Sequence, residues 1–230
     1  MDIWNGIGIL YEDNHLLVVE KPANVPVQAD SSGDPDLLTM LKGYLKEKYN
    51  KPGNVYLGLV HRLDRPVGGV MVFARTSKAA SRLSEQIRDR KMEKVYLAVT
   101  EGLFETESGF CYNFLVKNRK ENRVEIVPEG TPDSYEAVLQ YSVVGRCSGM
   151  TLVRINLITG RPHQVRVQLS HSGHPIVGDA KYGKTKKGST TDNLALWSYQ
   201  LTFRHPVRDE MMTFISEPPG CFPWNLFRIH

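Results

Sequence analysis

Short β-prone segments dominate the chain from residue 94 onward. Each of them alternates apolar and polar side chains or forms a short apolar run, and turn residues separate one from the next. Closely spaced strands without intervening helices favour antiparallel pairing. The segments are Lys94–Thr100, Phe110–Val116, Arg123–Val127, Tyr135–Val144 and Met150–Ile158. We therefore predict an α+β fold built on a large, mixed and mostly antiparallel β-sheet.

Helical patterns are fewer than strand patterns. Asp36–Tyr49 has leucines at helical spacing behind an acidic start, and Thr76 or Ser77 caps a second amphipathic segment that runs to about residue 90. Arg161–His171 is ambiguous because its apolar residues alternate as in a strand, yet Pro162 near its start favours the helix that we predict. Further strands are expected at Leu16–Val19, Val70–Ala74, Leu194–Phe203 and Met211–Ile215.

The composition excludes several classes of protein. The chain has 230 residues, 41% of them hydrophobic, which suits one folded domain over residues 1–230 and argues against disorder. No apolar run approaches the roughly 20 residues that cross a bilayer, and we expect no secretory signal. The cysteines are odd in number and widely spaced, at Cys111, Cys147 and Cys221. We therefore expect a cytoplasmic protein without disulfides.

Positive charge is concentrated in two parts of the chain. Residues 61–94 contain nine Lys or Arg against four Asp or Glu, and residues 154–187 contain seven against one, whereas residues 105–136 are net acidic. If the two basic blocks fold together, they form a face that suits a polyanion such as nucleic acid. The alternative is that these side chains only solvate the surface.

A dense polar cluster lies between apolar segments at residues 59–70. Asp64 is flanked there by Arg62 and Arg65, which favour its ionised form, and Pro66 allows a tight turn before a glycine pair. An ionised carboxylate beside the core suits a nucleophile or a charge stabiliser. An Arg–Asp pair that only fixes the loop is an equally good interpretation of these residue types.

A second polar cluster spans residues 158–169. Pro162 would open a helix whose first N–H groups face an anion, and His163 and Arg166 would share one helix face. With Arg161 and Gln164 they could bind a phosphate or a carboxylate. A solvated basic face is the alternative. The spacing of His163, His171 and His174 matches no metal motif, so we predict no metal site.

Three motifs together resemble the RluA-type pseudouridine synthases. His61-Arg62-Leu63-Asp64 followed by Gly68-Gly69 is similar to the family's H-R-L-D signature. Glu93–Ala98 resembles the second motif, which carries a tyrosine at Tyr96, and Gly160–Arg166 resembles the third. The Glu20-Lys21-Pro22 turn, His174–Asp179 with Tyr182-Gly183, and Phe203–Pro206 also fit. The resemblance runs in order from about Glu12 to Ile215.

The resemblance implies the pseudouridine synthase fold, with an active-site cleft across the sheet, and the isomerisation of uridine to pseudouridine in RNA. It makes Asp64 the essential catalytic residue, places Tyr96 against the base and pairs Arg166 with Asp64. Arg62 would fill the gap left by an extruded nucleotide. The remaining substrate-binding residues would be His61, Lys94, Arg161 and His163. It implies no cofactor and no metal, and a ribosomal or transfer RNA partner. A monomer is our default expectation.

Two departures from the family pattern are visible. Val67 and Gly68 replace the commoner Thr-Ser pair after Asp64, which removes two hydroxyls near the acid. We also expect a stand-alone catalytic domain without an S4 RNA-binding domain. A catalytically silent RNA-binding protein on the same fold is the main alternative function, and a metal-dependent hydrolase built on the histidines is a remote one.

Overall fold

A computed structural model of the chain describes residues 2–118, 120–183 and 193–229. The helices are α1 (Leu37–Lys48), α2 (Ser77–Arg88) and α3 (Gln164–His171). The strands, numbered in chain order, are β1 (Asp2–Trp4), β2 (Ile7–Glu12), β3 (Leu16–Lys21), β4 (Gly58–Leu59), β5 (Gly68–Ala74), β6 (Glu93–Glu101), β7 (Ser108–Asn118), β8 (Arg123–Val127), β9 (Tyr135–Cys147), β10 (Met150–Leu157), β11 (Leu196–Arg204) and β12 (Met211–Ile215).

The chain divides into two compact units, and both are discontinuous in sequence. Unit 1 comprises Met1–Glu93 and Ser198–Ser216, and unit 2 comprises Lys94–Trp197 and Glu217–His230. Each unit has its own antiparallel strand pairs and its own buried apolar cluster. The α+β class and the large, mostly antiparallel sheet predicted from the sequence are confirmed. The extent of a single catalytic domain stays a prediction.

In unit 1 the strands are ordered β1-β2-β3-β5-β11, with β4 beside β5 and β12 beside β11. The antiparallel register of β3 and β5 runs from Leu16 opposite Ala74 to Lys21 opposite Gly69. Both strands are almost wholly buried, as their continuous apolar sequences require. The end of β3 and the start of β5 therefore lie side by side, next to the loop that carries Asp64.

Helix α2 covers one face of this sheet. Thr76 caps the helix by accepting a hydrogen bond from the Ala79 amide at 3.2 Å, as the sequence predicts. Its apolar side is in contact with a cluster of buried strand residues, which comprises Leu16, Val18, Val70, Val72, Leu201 and Phe203. Helix α1 is capped in the same way by Asp36, which accepts from the Thr39 amide at 3.0 Å.

In unit 2 the strands are ordered β6-β10-β9-β7-β8. Helix α3 lies against β7, β8 and β9, and residues 164–169 of it are buried in succession. Val167 packs there with Leu115, Val124 and Ala137. A helix that is buried all round has no solvated face, so its polar side chains must find partners inside the protein.

The sequence-based predictions differ from the structure in a few places. Strands β1, β2 and β4 were not predicted, and α3 begins at Gln164 instead of Arg161. The start is late because His163 has left-handed backbone torsions, with φ of 51°, so residues 161–163 form a turn before the helix. Gly183–Thr191 is rich in Gly, Lys, Ser and Thr, a composition that indicates a basic loop, and most of it lies outside the described residues. No helix in the described part of the chain is long and apolar enough to span a membrane.

Candidate active site

Asp64 lies in a tight turn between β4 and β5. The Val67 amide donates to the Asp64 carbonyl at 3.0 Å, which closes the turn. Leu63 and Val67 on either side are buried, and Asp64 itself is half-buried. The buried side chains of Leu63 and Val67 thus anchor the turn in the core, and the Asp64 carboxylate between them remains accessible to solvent.

Lys21 at the end of β3 supports this turn from below. The side chain has no exposed surface, and its ammonium donates to the carbonyls of Pro22 at 2.9 Å, Arg65 at 3.0 Å and Val67 at 2.7 Å. Two of those carbonyls belong to the residues that follow Asp64. The backbone of the Asp64 turn is therefore fixed by one buried cation.

Burial disfavours the charged form of Lys21. Burial lowers the pKa of its ammonium to about 7, and the Asp64 carboxylate opposes that shift, whereas the Arg65 charge adds to it. A pKa near 7 means that the protein can hold this lysine in either form around neutral pH. Asp64 is one of the groups that favour the charged form.

Arg65, which follows Asp64 in the sequence, binds groups other than the Asp64 carboxylate that the sequence suggested. Arg65 donates from Nε to the Asn24 carbonyl at 3.1 Å and from Nη1 to Ser32 at 3.0 Å, and it pairs with Asp34 through Nη2. Its charge thus holds the segment around residues 24–34. Arg62 is exposed to solvent.

Gly69, the second glycine of the pair after Asp64, is required by space and torsion. Gly69 has φ of 111°, and a Cβ at this position would lie 2.2 Å from the Ser198 carbonyl oxygen. No other residue fits between the start of β5 and β11 at this point. The close approach fixes where β5 begins, only a few residues from Asp64.

His61 stabilises the same loop through its ring. Nε2 accepts a hydrogen bond from the Val72 amide at 3.1 Å, in line with the β4–β5 pairing that ends at Leu59 and Phe73. Because Nε2 accepts, the neutral imidazole carries its proton on Nδ1. The ring therefore continues the hydrogen bonding between β4 and β5 beyond the end of β4.

In unit 2, Lys94 and Tyr96 lie on one face of β6, since they are two residues apart in a strand. Tyr96 is buried and pairs in register with Ile155 of β10. Burial lowers the pKa of the Lys94 amine. A Cβ built on Gly160 would lie 3.6 Å from Lys94 Nζ, an ordinary van der Waals distance, so the lysine reaches the backbone of Gly160.

The turn that precedes α3 is closed by the side chain of Gln164. Its Oε1 accepts from the Arg161 amide at 2.9 Å and from the Thr159 hydroxyl at 2.8 Å. Thr159 in turn accepts from the Val138 amide at 2.8 Å. Gln164 is therefore an internal brace of the turn and does not point outward as part of an anion site.

Arg161 lies at the start of β9. Its Nε donates to the Glu136 carbonyl at 2.9 Å, and its guanidinium lies 5.1 Å from the centre of the exposed Tyr135 ring. The stacked, half-buried guanidinium has a fixed orientation at the surface of unit 2.

Arg166 forms a buried ion pair with Asp179. Nε and Nη2 donate to Oδ2 and Oδ1 of Asp179, each at 2.8 Å. Asp179 also accepts from the amides of Lys181 and Tyr182 at 2.9 and 3.0 Å. Burial alone would raise the pKa of Asp179, but these bonds and the arginine charge outweigh it and hold the pKa below its ordinary value.

Tyr182 connects Arg166 with His163. Its ring lies 5.3 Å from the Arg166 guanidinium, and its hydroxyl lies 2.7 Å from His163 Nδ1. The hydroxyl accepts from the Val124 amide at 2.8 Å, so its own hydrogen is available for Nδ1. His163 precedes α3, so the predicted sharing of one helix face does not arise, and Tyr182 instead links the two residues as a common partner.

The structure groups the predicted residues within their own units. In unit 1, His61, Arg62 and Asp64 lie in one loop, and in unit 2, Lys94 reaches the turn that carries Arg161 and His163. Three residues of this machinery were given no role in the sequence analysis, namely Lys21, Asp179 and Tyr182. All three lie in segments that resemble the family pattern, namely Glu20-Lys21-Pro22, His174–Asp179 and Tyr182-Gly183, and that resemblance is the signal that could have pointed to them.

Comparison with known proteins identifies the family. The family model for RNA pseudouridylate synthase matches residues 15–171, which include the Asp64 loop, β6 and the whole of α3. This is well over half of the chain. The chain belongs to the RNA pseudouridylate synthase family. Membership agrees with the resemblance drawn from the motifs alone.

Several named relatives lie in this pseudouridylate synthase family. The chain is 35% identical over 214 residues to ribosomal large subunit pseudouridine synthase C of Escherichia coli K12, and 33% identical over 229 residues to an uncharacterized RNA pseudouridine synthase of Aquifex aeolicus. The alignments cover 89% and 94% of this chain, and 64% and 71% of those relatives. The chain thus spans less than two thirds of the Escherichia coli protein.

Solved structures of pseudouridylate synthases share the fold. Human RNA pseudouridylate synthase domain containing 4 superposes with a TM-score of 0.76 at 27% identity, covering 92% of this chain and 88% of that one. Human RNA pseudouridylate synthase domain containing 1 superposes with a TM-score of 0.73. The pseudouridine synthase fold expected from the motifs is confirmed.

Proposed function

We propose that this protein isomerises specific uridines in RNA to pseudouridine, with Asp64 as the essential catalytic residue. The observation that carries the proposal is the Asp64 turn. Its carboxylate is half-buried, and its backbone is fixed by the hydrogen bonds that Lys21 donates to the Arg65 and Val67 carbonyls. A preorganised carboxylate of this kind is what a reaction at the ribose C1′ needs. Family membership supports the same activity.

The reaction rearranges the uridine without changing its composition. The bond between N1 and C1′ breaks, the uracil turns, a bond forms between C5 and C1′, C5 loses its proton and N1 gains one. Asp64 can act by attack at C1′, by attack at C6, or by removing the 2′ hydrogen. Each route uses the ionised carboxylate, and the buried Lys21 side chain fixes the backbone of the turn that carries it.

The released base must stay in the site while it turns. We assign Tyr96 to stack on the uracil and to assist removal of the C5 proton, as its buried position on β6 allows. Arg166 is assigned to orient Asp64. Its bidentate bond to Asp179 fixes the plane of the guanidinium, and the pairing with Asp64 rests on the family resemblance.

The target nucleotide must leave the base stack of the RNA before the reaction. Arg62 is exposed beside Asp64 and is assigned to fill the gap in the stack. His61, Lys94, Arg161 and His163 are assigned to substrate binding. The two basic blocks of the sequence would then bind the RNA backbone, so affinity should fall as salt rises.

Ribosomal RNA is the first candidate substrate, because the named relatives act on the large ribosomal subunit by their names. Transfer RNA is the second. We propose that the protein acts in the cytoplasm as a monomer and without a cofactor or metal. Sequencing of cellular RNA for pseudouridine, with and without this protein, would identify the modified position.

The decisive test is release of tritium from RNA that carries [5-³H]uridine. Wild type should release label with chelator present, and Asp64→Asn should lower the rate at least about 100-fold. Asp89→Asn, an exposed aspartate after α2, is the matched control and should keep wild-type activity. Equal release by Asp64→Asn would refute the role of Asp64.

The same assay separates the alternatives. RNA binding without release from total cellular RNA would indicate a silent RNA-binding protein, and loss of activity with chelator would indicate a metal enzyme. Arg166→Ala should lower turnover more than RNA affinity. A loss of affinity alone would make Arg166 a phosphate contact and not the partner of Asp64.

A further inference from the structure

An exposed aromatic row lies on β7, on the sheet face opposite α3. Phe110 and Tyr112 are 64% and 55% exposed, and Phe114 contacts Tyr112 edge-on at 5.7 Å between ring centres. The residues between them face the other way, where Gln168 of α3 donates to Asn113 at 2.8 Å. The strand therefore has one face in the core and one aromatic face in solvent.

The neighbouring strands extend this row into a surface. On β9, Gln140, Val138 and Glu136 lie opposite Phe110, Tyr112 and Phe114. On β8, Val127 and Glu125 lie opposite Phe114 and Val116. We call the surface formed by Phe110, Tyr112, Phe114, Glu125, Glu136 and Val138 the aromatic–acidic face.

Negative charge lies directly beside the aromatic rings. The Tyr112 hydroxyl donates to Glu136 Oε2 at 3.4 Å. Slight desolvation and the charges of Glu136 and Glu129 raise the pKa of Tyr112 above its ordinary value, so both carboxylates act on this ring. The charged members of the aromatic–acidic face are both glutamates, although the whole chain has a net charge of +4.

This combination discriminates between partners. Carboxylates repel phosphates, so exposed rings with Glu136 and Glu125 on the same face do not suit RNA, which also has two basic blocks elsewhere on the chain to bind. Arginine and lysine side chains are attracted both to aromatic rings and to carboxylates, and apolar side chains pack on the rings. The chemistry of the face is complementary to a basic protein segment that also carries apolar residues.

We infer that the aromatic–acidic face, on the side of the sheet opposite α3, is a docking surface for a basic segment of a partner protein. The segment would lay Arg or Lys side chains over Phe110 and Tyr112 and against Glu125, with aliphatic residues near Val138. The inference is independent of the proposed catalytic activity, because none of these side chains belongs to the proposed active site.

The test uses the full chain and a fluorescein-labelled peptide of alternating Arg and Leu. Fluorescence anisotropy should show binding, and the same peptide with Glu in place of Arg should not bind. Tyr112→Ala and Glu125→Lys should each weaken the interaction at least about tenfold. Tyr56→Ala and Glu85→Lys, at exposed positions in unit 1, are the matched controls and should bind as wild type does.

Further measurements distinguish a basic protein segment from RNA and from a second copy of this chain as the molecule that binds the face. All four variants should keep wild-type tritium release and thermal unfolding, because the changed side chains are exposed. No peptide binding, or equal binding by Tyr112→Ala and Glu125→Lys, would overturn the inference. If Tyr112→Ala lowers RNA affinity at least about tenfold, the face binds RNA. If the wild type forms a concentration-dependent dimer that Tyr112→Ala abolishes, the face is a contact between two copies of the chain. Either result would also overturn the inference.

Discussion

Replacement of Lys21 by methionine tests the support of the catalytic loop directly. The change keeps the length of the side chain and removes an ammonium that three buried carbonyls share. Each carbonyl left without a donor costs about 1–3 kcal/mol. The variant should therefore be less stable than wild type, and tritium release should fall with the displaced Asp64 turn.

The dependence on pH is the sharper part of this prediction. The pKa of Lys21 is about 7 in the folded protein against its ordinary value of 10.5. Between these values the unfolded chain binds more protons, so the contribution of Lys21 to stability rises with pH. From pH 7 to pH 9 the free energy of unfolding of wild type should increase by about 2 kcal/mol relative to Lys21→Met.

Urea unfolding followed by tryptophan fluorescence at pH 7 and pH 9 measures this difference. Lys46→Met, an exposed lysine on α1, is the control and should change with pH as wild type does. If the gap between wild type and Lys21→Met is the same at both pH values, the buried lysine does not titrate in this range and the argument fails.

Three further substitutions test other parts of the site by urea unfolding. Asp179→Asn leaves the buried charge of Arg166 without its counter-ion and should cost about 3–5 kcal/mol. Tyr182→Phe removes a hydroxyl with two internal hydrogen bonds and should cost about 1–3 kcal/mol. Gly69→Ala forces a Cβ against the Ser198 carbonyl and should cost about 3 kcal/mol. Wild-type stability in any of the three would contradict the contact it tests.

Patterns repeated along the sequence predicted most of the fold. The period of the leucines and an acidic cap give α1, and the alternation between residues 123 and 127 gives β8 with its observed bounds. The short strands β1 and β4 carry too few residues for any period to show. The start of α3 was misplaced because the left-handed backbone of His163 is not expected of a residue that follows Pro162.

The site was predictable where its residues form motifs. Lys21 was passed over because a lysine before a proline is typical of an exposed turn, and nothing local shows that carbonyls of residues 65 and 67 converge on it. Asp179 was passed over because its partner Arg166 is 13 residues away and on another element. Both contacts depend on the tertiary structure, which a linear pattern does not contain.

The discontinuity of unit 1 has a consequence for the chain during its synthesis. Leu201 and Phe203 belong to the same buried cluster as Leu16 and Val72, yet they are translated more than a hundred residues later. Until they leave the ribosome, the nascent N-terminal part exposes the apolar surface of β3 and β5 and an unpaired strand edge. A nascent chain arrested after Glu93 should therefore recruit chaperones, and release from them should wait until β11 has emerged.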